Sequence, residues 1–130
     1  MCGIAGILRA YLDRNLQKMS IERMTSALTH RGPDGWGIYL SRKIALGHTR
    51  LSIIDLNGGN QPMCSDRYVV TYNGIIYNYI ELRSELEGRG ALFKTNSDTE
   101  VVLKAFEVYD AEALPKFNGQ FAFLLWDKKN

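Results

Sequence analysis

Cysteine is scarce in this chain: two in 130 residues, Cys2 and Cys64. Two thiols so far apart make no disulfide framework, and an intracellular reducing compartment is the default. They offer no metal-ligand spacing either, and His30 and His48 are equally isolated, so no metal site is expected. No apolar run approaches the ~20 residues of a membrane span. The start has no basic segment leading into a long apolar one, which argues against a signal peptide. Neither charge sign dominates: 16 Lys and Arg face 14 Asp and Glu, for a net charge of +2. Basic and acidic residues are interleaved, as in Glu81-Leu82-Arg83-Ser84-Glu85, which is the pattern of a solvated surface. Terminal Lys128-Lys129 is too short to hold a nucleic acid. Together these absences predict a cytoplasmic protein with no membrane and no nucleic-acid partner. What is present, 45% hydrophobic and 23% charged residues, suits one soluble domain with a real core.

One cysteine stands in an unusual place. Cys2 directly follows the initiator Met, ahead of the apolar, glycine-containing run Gly3-Ile4-Ala5-Gly6-Ile7. Methionine removal is generally efficient before a small residue. The exposed Cys2 then carries a thiol, ordinarily near pKa ~8.5, and an α-amino group near ~7.7–8.0. A neutral amine beside a thiol accepts its proton, so one residue supplies nucleophile and general base. The plain alternative is a small hydrophobe early in a strand.

The periodicity predicts a strand over 2–9, a polar loop from Tyr11 to Lys18, and a helix from an N-cap at Ser20 to about Thr29. Met19 and Met24 would staple that helix, and Ile21, Met24 and Leu28 would face inward. His30-Arg31-Gly32-Pro33-Asp34-Gly35-Trp36-Gly37 is a tight loop leading into strands at 36–40 and 43–48. Arg50 follows, a cation able to pair with a carboxylate ligand. Asn57-Gly58-Gly59-Asn60 is a turn cluster, and Cys64 an incidental thiol in a polar loop. Tyr68–Tyr72 is a strand ending in Asn73-Gly74. An Asn amide and a backbone N–H there would suit an oxyanion hole. Asn78 caps a second helix with Tyr79, Leu82 and Leu86 inside, ended by Gly88 or Gly90. Ser97-Asp98-Thr99-Glu100 is a capping box for a third helix over 98–109. An acid at position 98 is favourable there for the helix dipole alone. Pro115 and Asn118-Gly119 bracket a turn. Phe121–Trp126 is apolar on both faces, which predicts a central buried strand.

Met-Cys-Gly-Ile, Arg31-Gly32-Pro33-Asp34-Gly35, Gly47-His48-Thr49-Arg50-Leu51-Ser52-Ile53-Ile54-Asp55, Gln61-Pro62-Met63, Asn73-Gly74-Ile75-Ile76-Tyr77-Asn78, Ser97-Asp98-Thr99-Glu100 and Phe121-Ala122-Phe123-Leu124-Leu125-Trp126-Asp127 occur in the order seen in class II glutamine amidotransferase domains. Each motif is weak alone; together they run nearly end to end. The chain most resembles the glutaminase domain of glutamine-hydrolysing asparagine synthetases. The resemblance implies an α+β fold, the N-terminal-nucleophile (Ntn) hydrolase αββα sandwich of two antiparallel sheets between helical layers. It implies hydrolysis of glutamine to glutamate and ammonia, for ATP-dependent asparagine synthesis in a parent enzyme. Cys2 would be the nucleophile, and Asn73 and Gly74 the oxyanion hole. Arg50 would bind the glutamine α-carboxylate and Asp98 its α-amino group. Leu51, Ser52, Ile53 and Ile54 would supply backbone to the same pocket. No cofactor is expected in this domain, whereas ATP and Mg belong to a synthetase domain in the same parent chain. A homo-oligomer is an open possibility.

Two departures bear on these expectations. Ile75 stands where the family usually has a Glu lining the glutamine site. The chain is also shorter than the family's glutaminase domain, so residues 1–130 are expected to be a partial domain, truncated at the C-terminal end, with the synthetase domain absent. Strand 121–126 would then keep an open edge. Two other readings remain beside hydrolysis for asparagine synthesis. One is a catalytically impaired docking or structural domain; the other is an amidotransferase domain serving an acceptor other than aspartate.

Overall fold

The computed structural model describes residues 1–8, 13–52 and 58–129. The first sheet holds β1 (Gly3–Leu8), β2 (Gly35–Leu40) and β3 (Ile44–Arg50), antiparallel in the order β1-β3-β2. The second holds β4 (Met63–Cys64), β5 (Tyr68–Ile76) and β6 (Gly119–Asp127), antiparallel in the order β4-β5-β6. Helix α1 (Arg14–Ala27) covers the outer face of the first sheet. Helices α2 (Tyr79–Gly88) and α3 (Asp98–Tyr109) lie on the second-sheet side, α3 directly against β5.

Strand alternation sets what each layer holds. Along β3, Ala45 turns toward α1 and packs with Ala5 and Ile21. Ile44 and Leu46 turn the other way and meet Val69 of β5 between the sheets. Along β5, Tyr68, Val70, Tyr72 and Ile76 face α3 and form the largest core with Val101, Val102, Ala105 and Phe106. Two polar links cross between the sheets: Thr71 Oγ1 donates to the Gly47 carbonyl at 3.2 Å, and His48 Nε2 meets the Tyr72 carbonyl at 3.2 Å.

The first helix begins earlier than its apolar pattern predicts. Asp13 is the N-cap, its carboxylate accepting from Asn15 N–H at 2.8 Å and Leu16 N–H at 3.3 Å. Residues 14–18 are therefore helical rather than loop, and Ser20 lies inside the helix. The buried stripe is Gln17, Ile21 and Thr25, whereas Met19 and Met24 are exposed. Two of those three buried residues are polar, so an apolar period cannot find them. Thr25 satisfies its hydroxyl by donating to the Ile21 carbonyl at 2.7 Å.

Three further expectations change. Asn73-Gly74 does not end a strand, because β5 runs through it to Ile76, paired with Ala122 and Phe121. Cys64 lies in the short strand β4, not in a loop. Phe121–Trp126 is not central: β6 is an edge strand among the described residues, with Phe121 and Leu124 exposed. Its double-sided apolar pattern comes from touching both cores, Phe123 and Leu125 on the α3 side and Trp126 between the sheets. Pro115 sits within a 3₁₀ segment, Asp110–Lys116, that leads into β6. No helix among the described residues is long and apolar enough to cross a membrane.

Candidate active site

The alternation that builds the core also aims side chains into one cleft. Gly3 and Ala5 face α1, so Cys2, one step before Gly3, falls on the face between the sheets. His48 and Arg50 share that face of β3 with Ile44 and Leu46. Asn73 and Ile75 share the corresponding face of β5 with Val69 and Thr71. Where the apolar filling stops, a cleft of about 210 Å³ opens, and Cys2, Arg50, Leu51, Asn73, Gly74, Ile75 and Asp98 all line it. Seven residues predicted from four separate segments are thereby brought together. Ser52 is half-buried beside the cleft rather than in its lining, and Ile53 and Ile54 lie outside the described residues.

Cys2 is held from three directions. Arg31 Nε donates to its carbonyl at 3.1 Å, and the next N–H, of Gly3, donates to Thr49 Oγ1 at 3.1 Å. The sulfur accepts from Leu51 N–H at 3.3 Å and approaches the Leu51 carbonyl at 3.7 Å. Asp34 then clasps the far side of Leu51: its N–H donates to the Arg50 carbonyl at 2.9 Å, and its Oδ2 accepts from Ser52 N–H at 2.7 Å. The N–H groups of Leu51 and Ser52 thus serve Cys2 and Asp34.

Asp98 does more than start a helix. Ser97 is the N-cap, accepting from Thr99 N–H at 3.1 Å. Glu100 does not close the capping box; it turns to the preceding loop and accepts from the N–H groups of Lys94 and Thr95. Asp98 is buried and points to β5, its Oδ2 accepting from Tyr72 O–H at 2.7 Å and Ile76 N–H at 3.3 Å. Burial, and then the Asp98 carboxylate it bonds, push the Tyr72 phenol far above its ordinary pKa, so it stays a donor.

The open edge of β5 is the remaining part of the site. Short β4 pairs with β5 only at Val69 and Val70. Beyond them, Gln61 Oε1 accepts Tyr72 N–H at 2.6 Å and Asp98 accepts Ile76 N–H. N–H groups two residues apart on a strand point the same way. The Gly74 N–H therefore lies on this edge between the other two and faces the cleft. A side chain cannot be added there: a Cβ on Gly74 would lie 2.6 Å from Phe121 Cα and against the Gln120 carbonyl. His48 holds the Tyr72 carbonyl from the other sheet. Burial, reinforced by the Arg50 charge, lowers its pKa to about 4. It is a neutral imidazole at neutral pH, with its hydrogen on the Nε2 that faces the carbonyl.

Tyr72, Gln61, Ser97, Thr99, Gly59 and Gln120 complete the lining, with Met1 at the mouth. Gln61, Ser97 and Thr99 lie in motifs that carry the family resemblance, but nothing in those motifs marks them as site residues. Tyr72 and Gln61 follow only from partners distant in sequence. Among the described residues, no group of three or more His, Cys, Asp or Glu is placed to hold a metal.

Comparison with known proteins agrees with this frame. The glutamine amidotransferase domain family matches residues 1–130. The chain is 42% identical over its full length to asparagine synthetase [glutamine-hydrolyzing] 1 of Bacillus subtilis, covering 21% of that protein. It is 40% identical over 99% of its length to asparagine synthetase B [glutamine-hydrolyzing] of Escherichia coli, covering 24% of it. It thus spans about a fifth of the length of such curated relatives. Among solved structures, the glutamine phosphoribosylpyrophosphate amidotransferase of Bacillus subtilis, complexed with ADP and GMP, superposes with a TM-score of 0.55 at 26% identity. That match covers 68% of this chain and 22% of the other. The two antiparallel sheets between helical layers are those of the Ntn amidotransferases. With every residue of the chain inside the family match and that frame around its cleft, the protein belongs to the glutamine amidotransferase domain family.

Proposed function

We propose that this domain hydrolyses glutamine to glutamate and ammonia through Cys2, and that the ammonia serves ATP-dependent asparagine synthesis in a longer protein. The observation that carries the reading is the single cleft shared by a thiol, a cation, a carboxylate and an aimed backbone N–H. Glutamine has an α-carboxylate, an α-ammonium and a neutral side-chain amide. Arg50 answers the first by a charge-assisted pair and Asp98 the second. Cys2, with Asn73 and Gly74, answers the third. The Cys2 thiol gives its proton to its own α-amino nitrogen, and the sulfur attacks the amide carbon. The oxyanion forms beside the Asn73 side chain and the Gly74 N–H, an arrangement worth ~2.7–4 kcal/mol per donor. Collapse returns the proton to the leaving nitrogen, ammonia departs, and a γ-glutamyl thioester remains. Water cleaves that thioester to glutamate and restores the thiol. The relatives' names, each glutamine-hydrolyzing, support the substrate.

The chemistry requires Met1 to be removed, because an acylated Cys2 nitrogen is an amide without useful basicity. Met1 also lines the cleft itself. A second reading, an impaired domain that docks without turnover, is favoured by one observation: Ile75 lines the cleft where a carboxylate would assist an ammonium. Intact mass before and after a glutamine-mimicking electrophile, together with assays for glutamate and ammonia, separates the two. Hydrolysis predicts loss of Met1, one adduct on Cys2 and equal yields of both products. A chain that has lost Met1 yet takes no adduct and releases no ammonia would leave only the docking reading.

A further inference from the structure

The open edge of β5 is closed by side chains where a neighbouring strand would be expected, and one short loop provides much of that closure. Gln61 spans two elements: its Oε1 accepts Tyr72 N–H at 2.6 Å, and its Nε2 donates to Thr99 Oγ1 at 3.2 Å, in the first turn of α3 beside Asp98. The preceding residue reaches a different part of the site. Asn60 Oδ1 accepts from Arg50 Nη1 at 3.1 Å. Gly59 is buried between the two: a Cβ there would lie 2.8 Å from Arg50 Nη2 and 3.3 Å from Ser97 Oγ. A side chain there would push the guanidinium aside, so glycine lets the loop pass this close without displacing it. Three consecutive residues thus touch the cation, the cap of α3 and the strand edge that bears the Gly74 N–H.

We propose that Gly59-Asn60-Gln61 is a positioning strap, with Asn60 orienting Arg50 for the substrate carboxylate and Gln61 standing in for a strand to aim the Gly74 N–H at the oxyanion. The assignment of steps rests on the glutamine-hydrolysing reading above; the placement of the strap does not. Neighbouring residues should then fail in different ways. Loss of the Asn60 bond weakens ground-state binding. Loss of the Gln61 bond displaces a donor needed chiefly in the transition state. Asn60 is exposed and Gln61 half-buried, so either can be replaced without opening the core.

The test uses the full-length protein that carries this domain, freed of Met1. Asn60→Ala is expected to raise KM for glutamine about 5- to 20-fold, with kcat within about twofold of the parent. Gln61→Met keeps the length of the side chain but not its acceptor, and is expected to lower kcat about 10- to 100-fold with little change in KM. Gln61→Glu retains the acceptor and should recover most of that loss. Equal effects of Asn60→Ala and Gln61→Met on both constants, or parental kcat in Gln61→Met, would overturn the strap. Amide hydrogen exchange provides a readout independent of turnover: Gln61→Met should speed exchange at Tyr72 at least about tenfold, and Gln61→Glu should not. Unchanged exchange in Gln61→Met overturns the proposal even in a protein without turnover. A parent protein that leaves glutamine intact, while Gln61→Met still loosens Tyr72, would remove the proposed function and keep the strap.

Discussion

Tyr72 donates its phenolic hydrogen to Asp98 Oδ2 at 2.7 Å, joining the second sheet to the first turn of α3 across the floor of the cleft. The carboxylate that would meet a substrate ammonium is thus aimed by a residue 26 positions away. Replacing Tyr72 by Phe removes one hydrogen bond to a buried charge, worth ~1.5–3 kcal/mol. We expect Tyr72→Phe to raise KM for glutamine by about tenfold or more and to change kcat much less. Steady-state kinetics decide the point. An unchanged KM would mean that the phenol does not orient Asp98 for substrate.

Gly74 is a position where backbone packing and chemistry coincide. A methyl group there runs into the Gln120 carbonyl and Phe121 Cα of the paired strand, and backbone cannot move aside cheaply. Gly74→Ala should cost roughly 1–3 kcal/mol of stability as β5 and β6 part, and its kcat should fall further than the lost fold explains. Thermal melting beside turnover checks both. A variant that melts with the parent would show that the ladder tolerates the methyl.

Ile75 faces the cleft, partly exposed, on the same side of β5 as Asn73. A carboxylate at this position would add a charge-assisted contact to an ammonium, worth ~1.5–3 kcal/mol. Ile75→Glu is therefore expected to lower KM for glutamine by about tenfold or more, with Cys2 equally reactive. If KM stays where it is, the substituted carboxylate does not reach the substrate.

His48 ties stability to pH. Its pKa falls from an unfolded value of about 6.5 to about 4 in the fold, because burial disfavours the charged ring. Between these values the unfolded chain binds a proton that the folded chain does not. The contribution is fully present above pH ~6.5 and is lost as pH falls toward ~4, amounting to about 3 kcal/mol at most. His48→Gln keeps a donor for the Tyr72 carbonyl but cannot titrate. Denaturant unfolding from pH 7 to 4 should show a shallower loss of stability in His48→Gln than in the parent. Parallel curves would exclude His48 as the source.

Contiguous patterns carry much of this protein on their own. Strands β2, β3 and the first half of β5, and helices α2 and α3, all rest on residues close in sequence. A period, a cap or a motif reports such local matters directly. The gathering of Cys2, Arg50 and Asn73 also follows once the two sheets are face to face, because alternation then aims them at one space, whereas Gly74 joins through its backbone at the strand edge and Asp98 from the first turn of α3. Other features were decided only by the tertiary structure. The buried stripe of α1 is polar at Gln17 and Thr25, and burial there depends on the sheet beneath it, not on hydrophobicity. The local pattern of β6 reads as central because both its faces are apolar, yet strand order among the described residues puts it at an edge, the open edge that the comparison with the family's longer domain implies. The supports of the site, Tyr72 with Asp98, Gln61 with Tyr72, Asp34 with Ser52, and Arg31 with Cys2, are pairs 11 to 29 residues apart in sequence. A hydrogen bond between distant residues is a property of neither segment alone. It exists only when the fold places a donor and an acceptor at the same point.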